Sequence, residues 1–92
     1  MEYRLLYSET SRNQIRRLHQ QIKAAVKSQL KILQREPFMG KLLEKDLAGY
    51  LSIRTRRFRV IYRINPDDHI IEIHYVGHRK DIYELFRETL EK

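Results

Sequence analysis

A single α+β domain over residues 1–92 is predicted by three observations: a length that closes one core, a helical apolar stripe in the first half, and three consecutive strand-like segments in the second. A chain of this length buries only about 60–65% of the surface its unfolded form exposes, which leaves no material for a second core.

The elements follow in order. Tyr3-Arg4-Leu5-Leu6-Tyr7 is rich in β-formers and stops at Ser8-Glu9-Thr10-Ser11, a cluster of helix-capping side chains, so a strand leads into a helix. Ile15, Leu18, Ile22, Ala25, Val26, Leu30 and Leu33 then recur at three- and four-residue steps, with Arg, Lys and Gln between them. No Gly or Pro interrupts residues 12–35, so the periodicity permits one long helix or two helices broken near His19-Gln20-Gln21. Pro37 ends the run, because the residue before a proline is pushed out of the α region. Phe38-Met39-Gly40 opens an irregular link that Leu42, Leu43 and Leu47 are expected to pin to the core. Tyr50 to Ile64 reads as two strands, Asn65-Pro66-Asp67-Asp68 as a turn, and His69 to Val76 as a third alternating strand, together an antiparallel meander. Lys80 to Leu90 closes as a helix with Ile82, Leu85, Phe86 and Leu90 on one face.

Five arginines, Arg54, Arg56, Arg57, Arg59 and Arg63, crowd into the hairpin. A two-residue turn at Arg56-Arg57 pairs Thr55 with Phe58, Arg54 with Arg59, Ile53 with Val60 and Leu51 with Tyr62. Leu51, Ile53, Thr55, Phe58, Val60 and Tyr62 then share one face, and Ser52, Arg54, Arg59 and Ile61 the other. Two arginines directly across from each other repel, a cost that suggests a use as a phosphate clamp. Tight hairpin turns favour Gly or Asn at positive φ, so a longer loop with a shifted register stays open.

Nineteen Lys and Arg against twelve Asp and Glu give a net charge of +7, a positive field suited to a polyanion: nucleic acid first, then an anionic membrane or an acidic protein. With 41% hydrophobic and 34% charged residues the chain is globular, with a lean core. The absence of cysteine removes disulfides, thiolate metal sites and cysteine nucleophiles, and fits a reducing cytoplasm. Met1-Glu2-Tyr3-Arg4 opens without the apolar region of a signal peptide, and no apolar run is long enough to cross a bilayer, so a soluble cytoplasmic protein with no membrane partner is expected. His69 and His74 are five residues apart and point to opposite faces of a regular strand, and no phosphate-binding loop or dinucleotide fingerprint occurs, so no metal site or cofactor is expected.

Asp46-Leu47-Ala48-Gly49-Tyr50, then Ile53-Arg54-Thr55-Arg56-Arg57-Phe58-Arg59-Val60-Ile61-Tyr62, then Val76-Gly77-His78-Arg79-Lys80-Asp81-Ile82-Tyr83 resemble the ordered motifs of the RelE branch of the RelE/ParE toxins: Leu-x-Gly, R-x-R-x-G-x-Y-R-V-I-Y and a closing G-H-R-x-x-x-Y. The likeness spans essentially the whole chain. It implies a helical hairpin packed on a twisted, mostly antiparallel four-stranded sheet with a C-terminal helix, and so favours a break near His19. It implies a toxin of a type II toxin–antitoxin system that cleaves messenger RNA in the ribosomal A site without metal, by attack of a ribose 2′-hydroxyl on the adjoining phosphate. The implied partners are the ribosome, its messenger RNA, and a cognate antitoxin encoded nearby, in a toxin–antitoxin hetero-oligomer. By position, Arg59 and Arg79 would stabilise phosphate charge, and Tyr83 would stack on a base and take part in proton transfer. Arg54, Arg56, Arg57 and Ser52 would contact RNA, with Ser52 standing where some relatives carry a lysine and Arg57 where a turn glycine is usual. His78 is the candidate to fill the missing proton role, because imidazole titrates near neutrality. The alternatives are a gyrase-binding toxin of the ParE branch and a non-catalytic basic nucleic-acid-binding module.

Overall fold

The computed structural model describes residues 2–91. The element order is β1 (Arg4–Tyr7), α1 (Glu9–Arg16), α2 (Gln20–Arg35), β2 (Lys41–Leu42), β3 (Leu51–Thr55), β4 (Phe58–Asn65), β5 (Ile70–His78) and α3 (Ile82–Leu90). The five strands form one sheet in the order β1-β5-β4-β3-β2, with β1 parallel to β5 and every other pair antiparallel. The α+β class is as expected, with one strand more than the four anticipated. That strand, β2, is a two-residue edge piece within the irregular link, and both of its residues are exposed, so no apolar alternation marks it. Leu42 accordingly stays 68% exposed, whereas Leu47 is buried and does pin the link.

The helical run is two helices. Ser8 caps α1 by accepting a hydrogen bond from the Ser11 backbone N–H at 3.0 Å, and the buried Ser11 hydroxyl donates to the Ile73 carbonyl at 2.8 Å, fixing α1 to β5. His19 begins α2, its Nδ1 accepting from the Gln21 N–H at 3.3 Å, so an imidazole serves where Ser or Asp usually caps. Ile15, Val26, Leu30 and Leu33 from this hairpin meet Leu51, Ile53, Val60, Tyr62, Ile71, Ile73 and Val76 in the principal core.

The opposite face of the sheet is covered only in part. There α3 lays Ile82 and Phe86 over Ile61 and Leu47, with Leu43, Tyr50, Tyr75 and Tyr83 around them. Leu85 and Leu90, expected on the same buried face, are 38% and 45% exposed. The molecule is thus helix, sheet and helix in three layers, and α3 leaves the Arg54 end of its face open.

Tyr62 ties the link after α2 to the sheet. Its hydroxyl, on a fully buried side chain, donates to the Pro37 carbonyl at 2.8 Å and accepts from the Gly40 N–H at 3.1 Å. A Cβ at Gly40 would collide with that Tyr62 Oη and would stand 3.0 Å from the Ser52 carbonyl, so only glycine lets the link lie against β3. Burial pushes the Tyr62 phenol up to about 12, against the smaller opposing effect of the Gly40 N–H, and burial also raises Tyr7. A phenol whose folded value is raised contributes stability that is complete below its ordinary value of about 10 and is lost as pH climbs towards 12. Tyr62→Phe should therefore lower stability near neutrality by about 1–3 kcal/mol, because two polar groups lose their partner, and should weaken the fall in stability above pH ~10. Urea unfolding of both proteins across that pH range measures the two effects.

Candidate active site

The basic hairpin takes the expected two-residue turn and register: Leu51 with Tyr62, Ser52 with Ile61, Ile53 with Val60, Arg54 with Arg59, Thr55 with Phe58. Arg56 accepts the strained position, at φ 58°. Arg54 Nε donates to the Arg56 carbonyl at 3.0 Å and closes the turn from the open face of the sheet. A left-handed conformation costs a non-glycine residue about 1–2 kcal/mol, and part of this would be returned by Arg56→Gly. That change should raise stability by about 0.5–1 kcal/mol in thermal unfolding while removing one cation from the surface.

The turn is joined to the closing motif. The Arg79 backbone N–H donates to the Arg57 carbonyl at 2.7 Å, extending the β4–β5 ladder one pair beyond Phe58 and His78. Arg56, Arg57 and Arg79, all exposed, therefore gather at one end of the sheet, beside the Arg54–Arg59 pair. Among the described residues the ion pairs are Arg35–Glu2, Glu72–His74 and Arg87–Asp46, so no carboxylate neutralises this group. Unpaired guanidinium groups on a rigid scaffold are suited to phosphate, which they grip through two parallel N–H donors.

At the border between this open surface and the α3-covered half stands Ser52. Its side-chain oxygen accepts from Arg59 Nη1 at 3.0 Å and from the Tyr83 hydroxyl at 3.2 Å. Ser52 is 1% exposed, so its hydroxyl is turned to Arg59 and Tyr83 and not to the open surface. Arg59 and Tyr83 are half-buried and face solvent on the near side of it. A cation able to hold a phosphoryl oxygen and a phenol able to donate a proton are thereby brought together from β4 and α3.

His78 is not brought into this group. It pairs with Phe58, its ring centroid lying 5.7 Å from the Phe58 ring, and residues directly opposite in an antiparallel pair share a face. Phe58 lies two residues from the core residue Val60, so His78 belongs to the α1–α2 side while Arg59, opposite Gly77, belongs to the other. The cause is a bulge in β5: Ile61 pairs with Tyr75 but Tyr62 with Ile73, leaving His74 as the extra residue. His78 Nδ1 instead accepts from the Lys80 N–H at 3.2 Å and braces the turn into α3. His69 lies in the preceding turn at φ 54°, outside β5, and no group of three or more His, Asp or Glu side chains gathers among the described residues. No described helix is long and apolar enough to cross a membrane.

The fold and this arrangement define a small basic domain of mixed α and β structure. Residues 2–83 match the family of ParE toxins of type II toxin–antitoxin systems. The chain is 38% identical over 85 residues to toxin RelG of Mycobacterium tuberculosis, covering 90% of this chain and 98% of that one. Toxin RelE of the same organism is 29% identical over 85 residues, covering 90% and 88%. Among solved structures, the toxin–antitoxin complex RelBE2 of M. tuberculosis superposes with a TM-score of 0.80 at 34% identity, over 86% of this chain and 100% of that chain. A free mutant form of E. coli toxin RelE shares the fold, with a TM-score of 0.81 at 18% identity over 99% and 97%. The chain belongs to the RelE/ParE superfamily and is a toxin of a type II toxin–antitoxin system.

Proposed function

We propose that this toxin is an endoribonuclease that cleaves messenger RNA in the A site of the translating ribosome and so arrests translation in the cytoplasm. What supports this most directly is the meeting of Arg59 and Tyr83 at the buried Ser52 hydroxyl, on a sheet face whose arginines carry no carboxylate partner among the described residues. The 2′-hydroxyl of a ribose gives up its proton to solvent as its oxygen attacks the adjoining phosphorus, the bond to the 5′-oxygen breaks and that oxygen is protonated, and a cyclic phosphate and a free 5′-hydroxyl result. Arg59, with Arg79 and Arg54, stabilises the charge that accumulates on the phosphoryl oxygens. Tyr83 delivers the proton to the departing 5′-oxygen and offers its ring to a base. Arg56 and Arg57 hold the RNA backbone, and this binding weakens with salt because neutralised phosphates release counterions.

The superposed M. tuberculosis structure is a toxin–antitoxin complex, and this toxin is likewise neutralised by a cognate antitoxin in a hetero-oligomer. With a net charge of +7 on the toxin, the segment laid over Arg54, Arg59 and Arg79 is acidic, and the gene beside this one is expected to encode it. Expressing the toxin alone should arrest growth, with 5′-end mapping placing new transcript ends at A-site codons only in translated regions. Intact transcripts accompanied by DNA damage would instead favour gyrase poisoning, the action of the ParE branch whose family model the chain matches.

A further inference from the structure

We propose that Ser52 is a positioning residue for cleavage: its hydroxyl is a shared acceptor that locks the guanidinium of Arg59 and the phenol of Tyr83 into one constellation. The role rests on the ribonuclease activity proposed above.

Three observations carry it. Ser52 is one of only three buried polar residues among those described, alongside Ser11 and Thr55. Ser11 has a structural task, tying α1 to β5, but the hydrogen bonds of the Ser52 side chain both run to the two groups of the site. Those groups come from elements that do not neighbour each other in sequence, seven and thirty-one residues away, so a single oxygen bridges a side chain of β4 and one from the first turn of α3.

A hydroxyl has two lone pairs and one proton, and this governs what the oxygen can do. While Tyr83 donates to Ser52, both lone pairs are occupied, one by Arg59 and one by the phenol. To protonate the leaving oxygen, the Tyr83 O–H turns from Ser52 towards it, and the Ser52 hydroxyl rotates to donate a hydrogen bond to the phenolate oxygen until that oxygen regains a proton from water, while Arg59 keeps its place. Arg59 spends one nitrogen, Nη1, on Ser52 and keeps its other guanidinium nitrogens for phosphate. Alanine at position 52 lacks this oxygen, so both side chains regain rotamer freedom, and misplacement by about 1 Å costs on the order of 10²-fold in rate.

The test has an arm that needs no ribosome. In the free toxin, NMR of the arginine side chains should show rotation of the Arg59 Nη groups slowed in the wild type and released in Ser52→Ala; equal rotation in both would overturn the inference whatever the toxin cuts. In single-turnover reactions on ribosomes carrying messenger RNA, Ser52→Ala should lower the cleavage rate about 10²-fold with ribosome affinity within about twofold of wild type. Ser52→Thr, which keeps the hydroxyl, should restore most of the rate. In a Tyr83→Phe background the Ser52→Ala change should cost clearly less than in the wild type, since part of its effect runs through the phenol. Wild-type rates in Ser52→Ala, or additive losses in the double variant, would overturn the inference. A wild-type toxin that cuts no ribosome-bound RNA would instead sink the proposed function, leaving the NMR arm to decide the hydrogen bonding.

Discussion

Arg59→Ala should lower cleavage of ribosome-bound messenger RNA by about 10²–10³-fold, the loss seen when one preorganised donor to a developing negative charge is removed. The residue is suited to so large an effect because its guanidinium is already ordered: Nη1 rests on Ser52 and the stem lies half-buried on β4. Little reorganisation is needed as charge develops, which is where preorganised donors gain over water. Lysine keeps the charge but not the fork, and one ammonium cannot both reach Ser52 and present two parallel donors, so Arg59→Lys should recover only a small part of the rate. Arg79→Ala should also abolish most cleavage while sparing the fold, because what Arg79 gives the structure is its backbone N–H on the Arg57 carbonyl, which alanine retains. Rapid-quench cleavage assays, with circular dichroism melts as the folding control, separate the two consequences. Full toxicity in both alanine variants would show that the site lies elsewhere.

The hairpin that carries Arg59 could be read from sequence because its alternation is strict. Leu51, Ile53, Val60 and Tyr62 fill one face, and any slip of one residue would have buried Arg54 and Arg59 among the helices. Arg56 at φ 58° shows why the register survives an unfavourable turn: the core contacts outweigh a strain of about 1–2 kcal/mol. His78 shows where such reading stops. In a regular strand it would share a face with neither Ile73 nor Tyr75, and so would stand with Arg59. The single extra residue at His74 reverses every side chain after it and turns His78 towards Phe58. Nothing in the residue types around His74 signals the bulge, which shows only in the pairing of β5 with β4. The burial of Ser52 is not legible in the sequence for a related reason. A polar residue alternating with Leu51 and Ile53 looks solvent-facing, and only the arrival of Arg59 and Tyr83 from other elements buries it. Resemblance rather than periodicity favoured the break before α2, because His19 is an unusual cap and no Gly or Pro stands there.

Phe86→Ala should cost about 3–5 kcal/mol of a total stability that, for a domain of this kind, is about 5–15 kcal/mol. Phe86 is 2% exposed and anchors α3, with its ring centroid 5.0 Å from Tyr50, 5.7 Å from Tyr75 and 6.3 Å from His74. The helix spans nine residues, too few to hold its shape in water without tertiary contacts, so removing its anchor acts on its docking as well as on the cavity left behind. Tyr83 rides on the first turn of α3, and its bond to Ser52 is held only while that helix is docked. Cleavage should therefore fail at lower denaturant concentrations than those that unfold the principal core, and amide hydrogen exchange should show α3 opening before β4 and β5. Leu85→Ala, one position away on the same helix but 38% exposed, should cost well under half as much and leave the rate nearly unchanged. If both substitutions reduce cleavage and stability equally, α3 is not held through the Phe86 cluster, and the second face of the sheet does not fix Tyr83.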